Sequence, residues 1–205
     1  NKIAVAAGAL VAGAMAAVEA DRVHSLPQME NFTRYDVFSG HIPIEGTGKN
    51  YHYMFVGSQG DPTNDPLVVW FNGGPGCSSM IGFAQELGPY KMDDDDPAFL
   101  FNPYSWNNFS NQLYIESPAG VGFSNCSTQE ECNFDDNTSA EDNYQVLLSW
   151  LSEEYFGEYA NHDLFISGES YAGIYVPYVT RLLHNHNQNP DHEFKFNLKG
   201  WMVGD

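Results

Sequence analysis

The stretch Asp163-Leu-Phe-Ile-Ser-Gly-Glu-Ser-Tyr-Ala-Gly173 passes from an apolar, strand-like run into a turn of small residues with a serine at its apex. At so sharp a strand-to-helix turn the serine backbone is strained, so its neighbours must be small, and Gly168 and Ala172 meet that demand. The pattern predicts a nucleophile elbow that presents the hydroxyl of Ser170. A lone match of this kind also arises by chance, so the surrounding motifs must decide.

A second apolar run, residues 67–71, opens into the glycine-rich turn Asn72-Gly-Gly-Pro-Gly-Cys-Ser-Ser79. Acyl transfer needs N–H donors directed at the oxygen that becomes negative in the tetrahedral intermediate. In this arrangement one donor comes from the loop after an early strand and the other from the residue after the nucleophile. The sequence therefore predicts an oxyanion hole formed by the amides of Gly74 and Tyr171. The alternative is that the glycines only serve a tight turn.

The rest of the sequence predicts antiparallel strands first, and then strands that alternate with helices, as in an α/β-hydrolase core. Strand-like stretches cover about residues 36–41, 51–56, 67–71, 112–115, 163–167 and 198–203. One helix is predicted over residues 139–155, with a capping box of Thr138 and Glu141, and a second over about residues 171–186.

Three segments, in order, resemble the motifs of the serine carboxypeptidase family: Trp70-Phe-Asn-Gly-Gly-Pro-Gly-Cys-Ser-Ser79, Glu116-Ser-Pro-Ala-Gly-Val-Gly-Phe-Ser124 and Gly168-Glu-Ser-Tyr-Ala-Gly-Ile-Tyr-Val-Pro177. Weaker similarity at residues 26–27, 38–42 and 198–204 extends the resemblance over nearly everything after residue 20. It implies an α/β-hydrolase fold with a central mixed sheet and flanking helices. It also implies cleavage of C-terminal peptide bonds through an acyl-enzyme on Ser170. The implied binding network for the substrate carboxylate is Asn72, Gly73, Glu86 and Glu169, with Trp70 beside it.

The same resemblance implies a catalytic aspartate and histidine downstream of the last motif. The chain is therefore expected to be an N-terminal fragment, cut before the last strands and inactive as given. Asp205 is a weaker candidate for the acid, because the family usually carries asparagine there. Polar neighbours predict solvated surface positions for most of the histidines: His24, His41, His52, His162, His184, His186 and His192.

Recognition of a free C-terminal carboxylate usually employs arginine, yet no Arg or Lys occurs between Lys49 and Lys91 or between Lys91 and Arg181. Two neighbouring carboxyls in a partly desolvated cleft resist joint ionisation, so one can stay protonated and donate a hydrogen bond to the substrate. Peptide binding by Glu86 and Glu169 is thus predicted to weaken as the pH rises through about 6. The alternatives are a supporting role for Glu169 at the elbow and a solvated helix position for Glu86.

The N-terminus predicts a secretory route. Lys2 precedes an uncharged Ala/Gly-rich run, which predicts a signal peptide over residues 1–20 and a partial hydrolase domain over 21–205; a membrane anchor is the alternative. The destination would be a vacuole, a lysosome or the extracellular space, with no membrane contact in the mature form. Four glycosylation sequons agree with this route, at Asn31, Asn108, Asn125 and Asn137.

The three cysteines fit an oxidising compartment. Cys126 and Cys132 are close enough to bridge a short polar loop, and the resemblance implies that Cys77 pairs with a cysteine further downstream. A reduced loop and a free buried thiol are the alternatives.

A net charge of −19 with 8 Lys and Arg argues against nucleic acid or anionic membranes as partners. The run Asp93–Asp96 predicts a solvated turn rather than a calcium loop. Neither a metal nor a cofactor is predicted, because serine acyl transfer needs neither. Two other functions stay open: acyl transfer in the same fold, which is disfavoured because the chain keeps Asn72 and Glu169, and a non-catalytic truncated product.

Overall fold

The computed structural model describes residues 18–26, 35–92 and 99–205. The strands in chain order are β1 (Val37–Pro43), β2 (Lys49–Val56), β3 (Leu67–Phe71), β4 (Tyr90–Met92), β5 (Phe99–Phe101), β6 (Asn111–Ile115), β7 (Asn125–Cys126), β8 (Leu164–Glu169) and β9 (Leu198–Gly204). The longer helices are α1 (Asp136–Trp150) and α2 (Ala172–Gln188). Short helical turns span Gly82–Glu86, Trp106–Asn108 and Gly157–Tyr159.

A mixed sheet with the strand order β1-β2-β6-β3-β8-β9 organises these elements. β1, β2 and β6 pair antiparallel, whereas β6, β3, β8 and β9 run parallel. The predicted α/β-hydrolase architecture is confirmed, and all six predicted strands are present. The prediction missed β7, which pairs with β2, and the separate β4-β5 hairpin. Strands of two or three residues are too short to show an alternating pattern.

Both faces of the sheet are covered at its centre, as the side chains of β3 show. Leu67, Val69 and Phe71 point into the larger core, which α1 and α2 close on one face. Trp70 points the opposite way, into a second cluster with Phe83 of the Gly82–Glu86 turn. This period-two alternation is the expected geometry of a strand. A strand buried on both faces reads as a continuous apolar run, as residues 67–71 do.

The start and end of α1 differ from the prediction. The helix begins at Asp136 and ends at Trp150, and its capping box is formed by Asp135 and Thr138. The Thr138 N–H donates to the Asp135 carboxylate at 2.8 Å, and the Asp135 N–H donates to the Thr138 hydroxyl at 2.8 Å. The predicted box of Thr138 with Glu141 is therefore wrong, because Asp135 already caps the helix one turn earlier. Beyond the helix, Phe156 stacks on Trp150 with 4.4 Å between ring centroids.

The prediction of solvated histidines is wrong for two of the seven, since His52 and His186 are buried. The Tyr144 hydroxyl lies 2.9 Å from Nδ1 of His186, and the Phe194 carbonyl lies 3.0 Å from its Nε2. Both ring nitrogens thus have partners, which makes burial tolerable. Burial lowers the pKa of His186. Its partners are distant in sequence or on other elements, so its local neighbours could not reveal them.

Several predictions fall on residues that the structure does not describe: residues 1–17 of the predicted leader, Pro27, the sequon at Asn31 and the run Asp93–Asp96. Residues 18–20 form a helical turn, and Val18 packs against the larger core. Across the described ranges, no helix has both the length and the apolarity needed to span a bilayer.

Candidate active site

Three loops that carry the sequence motifs meet at the carboxyl ends of the parallel strands. β3 leads into the glycine-rich loop of residues 72–79, β6 into the loop of residues 116–124, and β8 into Ser170. β3 lies between β6 and β8 in the sheet, so its loop is flanked by the other two. In α/β sheets this edge is where ligands bind.

Ser170 occupies the strained turn that its sequence predicts. Its φ is 55°, and it is the one non-glycine residue with a positive φ in the described part of the chain. A side chain at Gly168 would come within 2.5 Å of the Phe71 carbonyl and 2.6 Å of the Ala172 Cβ, so the turn needs glycine there. Ser170 is exposed, and its hydroxyl makes no hydrogen bond to a described residue. Strain of this kind is characteristic of reactive positions.

The glycine-rich loop lies directly against this turn. A Cβ added at Gly73 would overlap the Tyr171 nitrogen and come within 2.7 Å of the Glu169 carbonyl. Gly74 has a φ of 113°, a conformation that favours glycine. Within the described residues, neither the Gly74 amide nor the Tyr171 amide donates to a protein acceptor. The two predicted oxyanion donors are therefore unpaired and lie on facing segments. Tyr171 also lies at the N-terminus of α2, which is the positive end of the helix dipole.

Asn72 connects the residues that were predicted to bind the substrate carboxylate. Its Oδ1 accepts hydrogen bonds from Trp70 Nε1 at 2.8 Å and from the Gly82 N–H at 3.0 Å. Its Nδ2 donates to Glu86 Oε2 at 3.2 Å and to Glu169 Oε1 at 3.0 Å. All four hydrogen-bonding positions of this buried amide are thus used. The structure brings Trp70, Asn72, Glu86 and Glu169 together, and it orients two carboxyls through one nitrogen.

The surroundings of Glu86 favour its protonated form. Desolvation raises the pKa of Glu86 above its ordinary value, and the negative charge of Glu169 raises it further. The hydrogen bond from Asn72 and the positive charge of Lys91 act in the opposite direction but do not prevail. Because the pKa is raised, Glu86 holds its proton to a higher pH than a solvated glutamate does, and a protonated carboxyl can donate a hydrogen bond.

A third carboxyl, that of Glu116, was quoted within a motif but not predicted as a site residue. It is fully buried at the end of β6, and its Oε2 lies 3.0 Å from His52 Nδ1. Burial acts to raise its pKa, but the nearby His52 ring and the hydrogen bonds from Ser78 and the Phe123 N–H outweigh burial and hold the pKa below its ordinary value. Its contacts join strands and loops that are far apart in sequence, so only the three-dimensional structure reveals them.

The structure also describes the three cysteines and three of the four sequons. Cys126 and Cys132 form a disulfide with 5.6 Å between their Cα atoms. Cys77 is exposed and unpaired among the described residues, so the alternative of a buried thiol is wrong. The sequon asparagines Asn108, Asn125 and Asn137 are exposed, as is Asp205. No cluster of three or more His, Cys, Asp or Glu side chains suited to a metal ion occurs in residues 18–26, 35–92 and 99–205.

Comparisons with known proteins agree with this geometry. The family model described as serine carboxypeptidase matches residues 27–205. A putative serine carboxypeptidase-like protein 30 of Arabidopsis thaliana is 41% identical over 192 residues, which cover 92% of this chain and 39% of that protein. The lysosomal protective protein of Mus musculus is 42% identical over 189 residues, which cover 92% of this chain and 38% of that protein.

Among solved structures, the chain is similar to KEX1(delta)p, a prohormone-processing carboxypeptidase from Saccharomyces cerevisiae. The TM-score is 0.77 at 26% identity, and the match covers 92% of this chain and 44% of that one. The chain thus spans about two fifths of the length of the relatives that it matches.

Proposed function

The chain belongs to the serine carboxypeptidase family, and from this premise we propose that the full-length protein removes C-terminal residues from peptides through an acyl-enzyme on Ser170. The observation that carries the proposal is the meeting of a strained, exposed serine with two unpaired amides and a pair of carboxyls joined through Asn72. Each component matches one requirement of the reaction.

In the proposed mechanism the Ser170 hydroxyl attacks the carbonyl of the last peptide bond. The developing oxyanion is bound by the amides of Gly74 and Tyr171, and the bond breaks to release the C-terminal amino acid. Water then cleaves the acyl-serine ester and regenerates the hydroxyl. The serine proton must pass to a general base, which then gives it to the leaving amine, and the described residues place no such base in hydrogen-bond contact with Ser170. The proposal therefore concerns the full-length protein.

Specificity for the C-terminus comes, in this proposal, from the carboxyls at Asn72. A protonated Glu86 donates to the substrate carboxylate. Trp70 orients the Asn72 side chain, and Asn72 in turn donates to Glu86 and holds it in place. This requires an acidic medium, since ionised Glu86 and Glu169 would both repel the substrate. A vacuole, a lysosome or an acidic extracellular space would suit it, and the relatives include a lysosomal protein.

The test compares a free-acid peptide with its C-terminally amidated twin at about pH 5, because the raised pKa of Glu86 favours its protonated form in acid. We expect the full-length protein to release amino acid from the free acid and much less from the amide, and the Ser170→Ala variant to release none. Equal cleavage of the two peptides would contradict carboxylate recognition. Transfer of the acyl group to an alcohol acceptor, without hydrolysis of peptides, would assign the chain to acyl transfer instead.

A further inference from the structure

Glu116 is a buried carboxylate that the proposed reaction does not use, and its carboxyl group is contacted by residues from three segments. The Ser78 hydroxyl donates to Oε1 from the glycine-rich loop. The Phe123 N–H donates to Oε2 at 2.6 Å from the loop after β6, and His52 Nδ1 faces the same oxygen at 3.0 Å from β2. A buried charge is tolerated only when it is paired in this way. Glu116 therefore joins two active-site loops to the sheet.

The loop after β6 is closed tightly over this carboxyl. Gly122 has a φ of 56°, and a Cβ added there would overlap the Glu116 carboxyl group. The loop is also held from the other side, where the Ala119 N–H donates to the Tyr51 hydroxyl at 3.0 Å and that hydroxyl donates to Asp142 at 2.8 Å. The carboxyl of Glu116 is thus enclosed by the backbone at Gly122, in a loop that is also hydrogen-bonded to Tyr51.

The glycine-rich loop has two anchors on the end of β6, and they serve different parts of the site. Ser79 Oγ donates to the Ile115 carbonyl at 2.6 Å and accepts from the Asn72 N–H at 3.2 Å, so it fixes the carboxylate-binding side. Ser78 Oγ donates to Glu116 and accepts from the Met80 N–H at 3.1 Å. The turn at Gly74 is closed by the Cys77 N–H, which donates to the Gly73 carbonyl at 3.0 Å. Ser78 is the next residue along the chain, so its bond to Glu116 anchors the end of the turn that carries the oxyanion donor.

From this division we infer that Glu116 is a positioning residue of the acyl-transfer site: through Ser78 it holds the Gly74 amide where the oxyanion forms. The inference rests on the function proposed above. The pKa shifts of two site carboxyls are consistent with this role, because the pKa of Glu86 is raised whereas that of Glu116 is lowered. In an acidic medium Glu86 can therefore carry a proton while Glu116 keeps the charge that accepts from Ser78.

His52 belongs to the cluster of groups around the Glu116 carboxyl, and its other ring nitrogen faces away from that carboxyl. Its Nε2 lies 2.9 Å from the Ser39 hydroxyl on β1, and the ring of exposed His41 lies 5.3 Å from its own ring, measured between centroids. Among the described residues, Ser39 hydrogen-bonds to His52 and to the Asp21 carbonyl and to neither loop. Ser39→Ala therefore removes a hydrogen bond from the far side of the cluster and serves as the matched control.

The experiment measures kcat and KM separately in the full-length protein for Ser78→Ala, Ser78→Thr, Glu116→Gln and Ser39→Ala. We expect Ser78→Ala and Glu116→Gln to lower kcat by about 10- to 100-fold with little change in KM, because a misplaced donor weakens binding of the transition state alone. Ser78→Thr keeps the hydroxyl and should restore most of kcat, and Ser39→Ala should leave both constants near those of the wild type.

A second readout does not depend on peptide binding. An uncharged fluorophosphonate modifies the reactive serine through a similar oxyanion, so its rate of reaction with Ser170 should fall in parallel with kcat. If the wild type reacts with this probe but cleaves no peptide, the proposed function fails while the positioning role is still tested by the probe. The inference is overturned if Ser78→Ala keeps kcat and the probe rate near those of the wild type, or if its effect appears in KM alone. Should Glu116→Gln not fold, the comparison of Ser78→Ala with Ser78→Thr decides.

Discussion

Replacing Glu86 with glutamine keeps the size of the side chain but removes its titration, so it tests whether the proton on Glu86 binds the substrate carboxylate. The glutamine Oε1 can still accept from Asn72 Nδ2, and its Nε2 can donate to a substrate carboxylate at every pH. In the wild type that donor exists only while Glu86 is protonated. The pKa of Glu86 is raised, so the donor is present below that pKa and is lost as the pH rises through it. We therefore expect KM to rise with pH in the wild type and to stay flat in Glu86→Gln.

The size of the effect follows from the bond that is lost. A hydrogen bond to a charged group contributes about 1.5–3 kcal/mol, and Glu86 is only partly buried, so the lower end applies. About 1.4 kcal/mol corresponds to a tenfold change in affinity, so the KM of the wild type should rise about tenfold across the titration. Repulsion from the second ionised carboxyl, Glu169, adds to this rise.

The assay is the pH dependence of KM for a free-acid peptide, with the amidated peptide and Glu169→Gln as controls. The amidated peptide has no carboxylate, so its KM should change little over the same range. Glu169→Gln removes a neighbouring charge, so the rise of KM should move to lower pH. If Glu86→Gln shows the same rise as the wild type, Glu86 does not hold the proton that binds the substrate, and the reasoning is refuted.

Three further changes have expected outcomes. Lys91→Met removes the positive charge that lowers the pKa of Glu86, so the rise of KM should move to higher pH, as a pH series of KM would show. Gly73→Ala places a methyl group against the backbone of Tyr171 and Glu169; we expect about 1–3 kcal/mol of lost stability by thermal unfolding and a lower kcat, and an unchanged protein would contradict the tight contact. Replacing Cys126 and Cys132 together with serine opens a short loop and should lower the free energy of unfolding in urea by about 2 kcal/mol, whereas no change would mean that the loop is held by its other hydrogen bonds.

The parts of the site that could be predicted from sequence are those with local causes. The strained Ser170 needs small neighbours within two residues, and the glycine-rich loop needs glycine at Gly74, so both leave a pattern in consecutive positions. The grouping of Asn72 with Glu86 and Glu169 was implied by family resemblance rather than by spacing. In the structure the three residues are joined by hydrogen bonds from Asn72 Nδ2 to both carboxyls.

Features that depend on contacts between distant segments were not predictable. Glu116 and His52 lie on neighbouring antiparallel strands, and their pairing follows from the register of β2 with β6. His52 was therefore predicted to be solvated. The prediction of the α1 cap was wrong for a different reason. Asp135 and Thr138 are both residue types that cap helices, and the local sequence did not show which of them begins this one.

β9 forms the outermost parallel strand of the described sheet, and this position matters for handling the protein. Trp201, Met202 and Val203 expose 54%, 41% and 40% of their surfaces, and within the described residues β9 pairs with β8 alone. A strand with one open side and apolar side chains offers a template for another chain. Samples limited to these 205 residues should therefore self-associate as their concentration rises, which light scattering would detect. The substitution Met202→Lys places a charge on this edge, so self-association should then begin at a higher concentration.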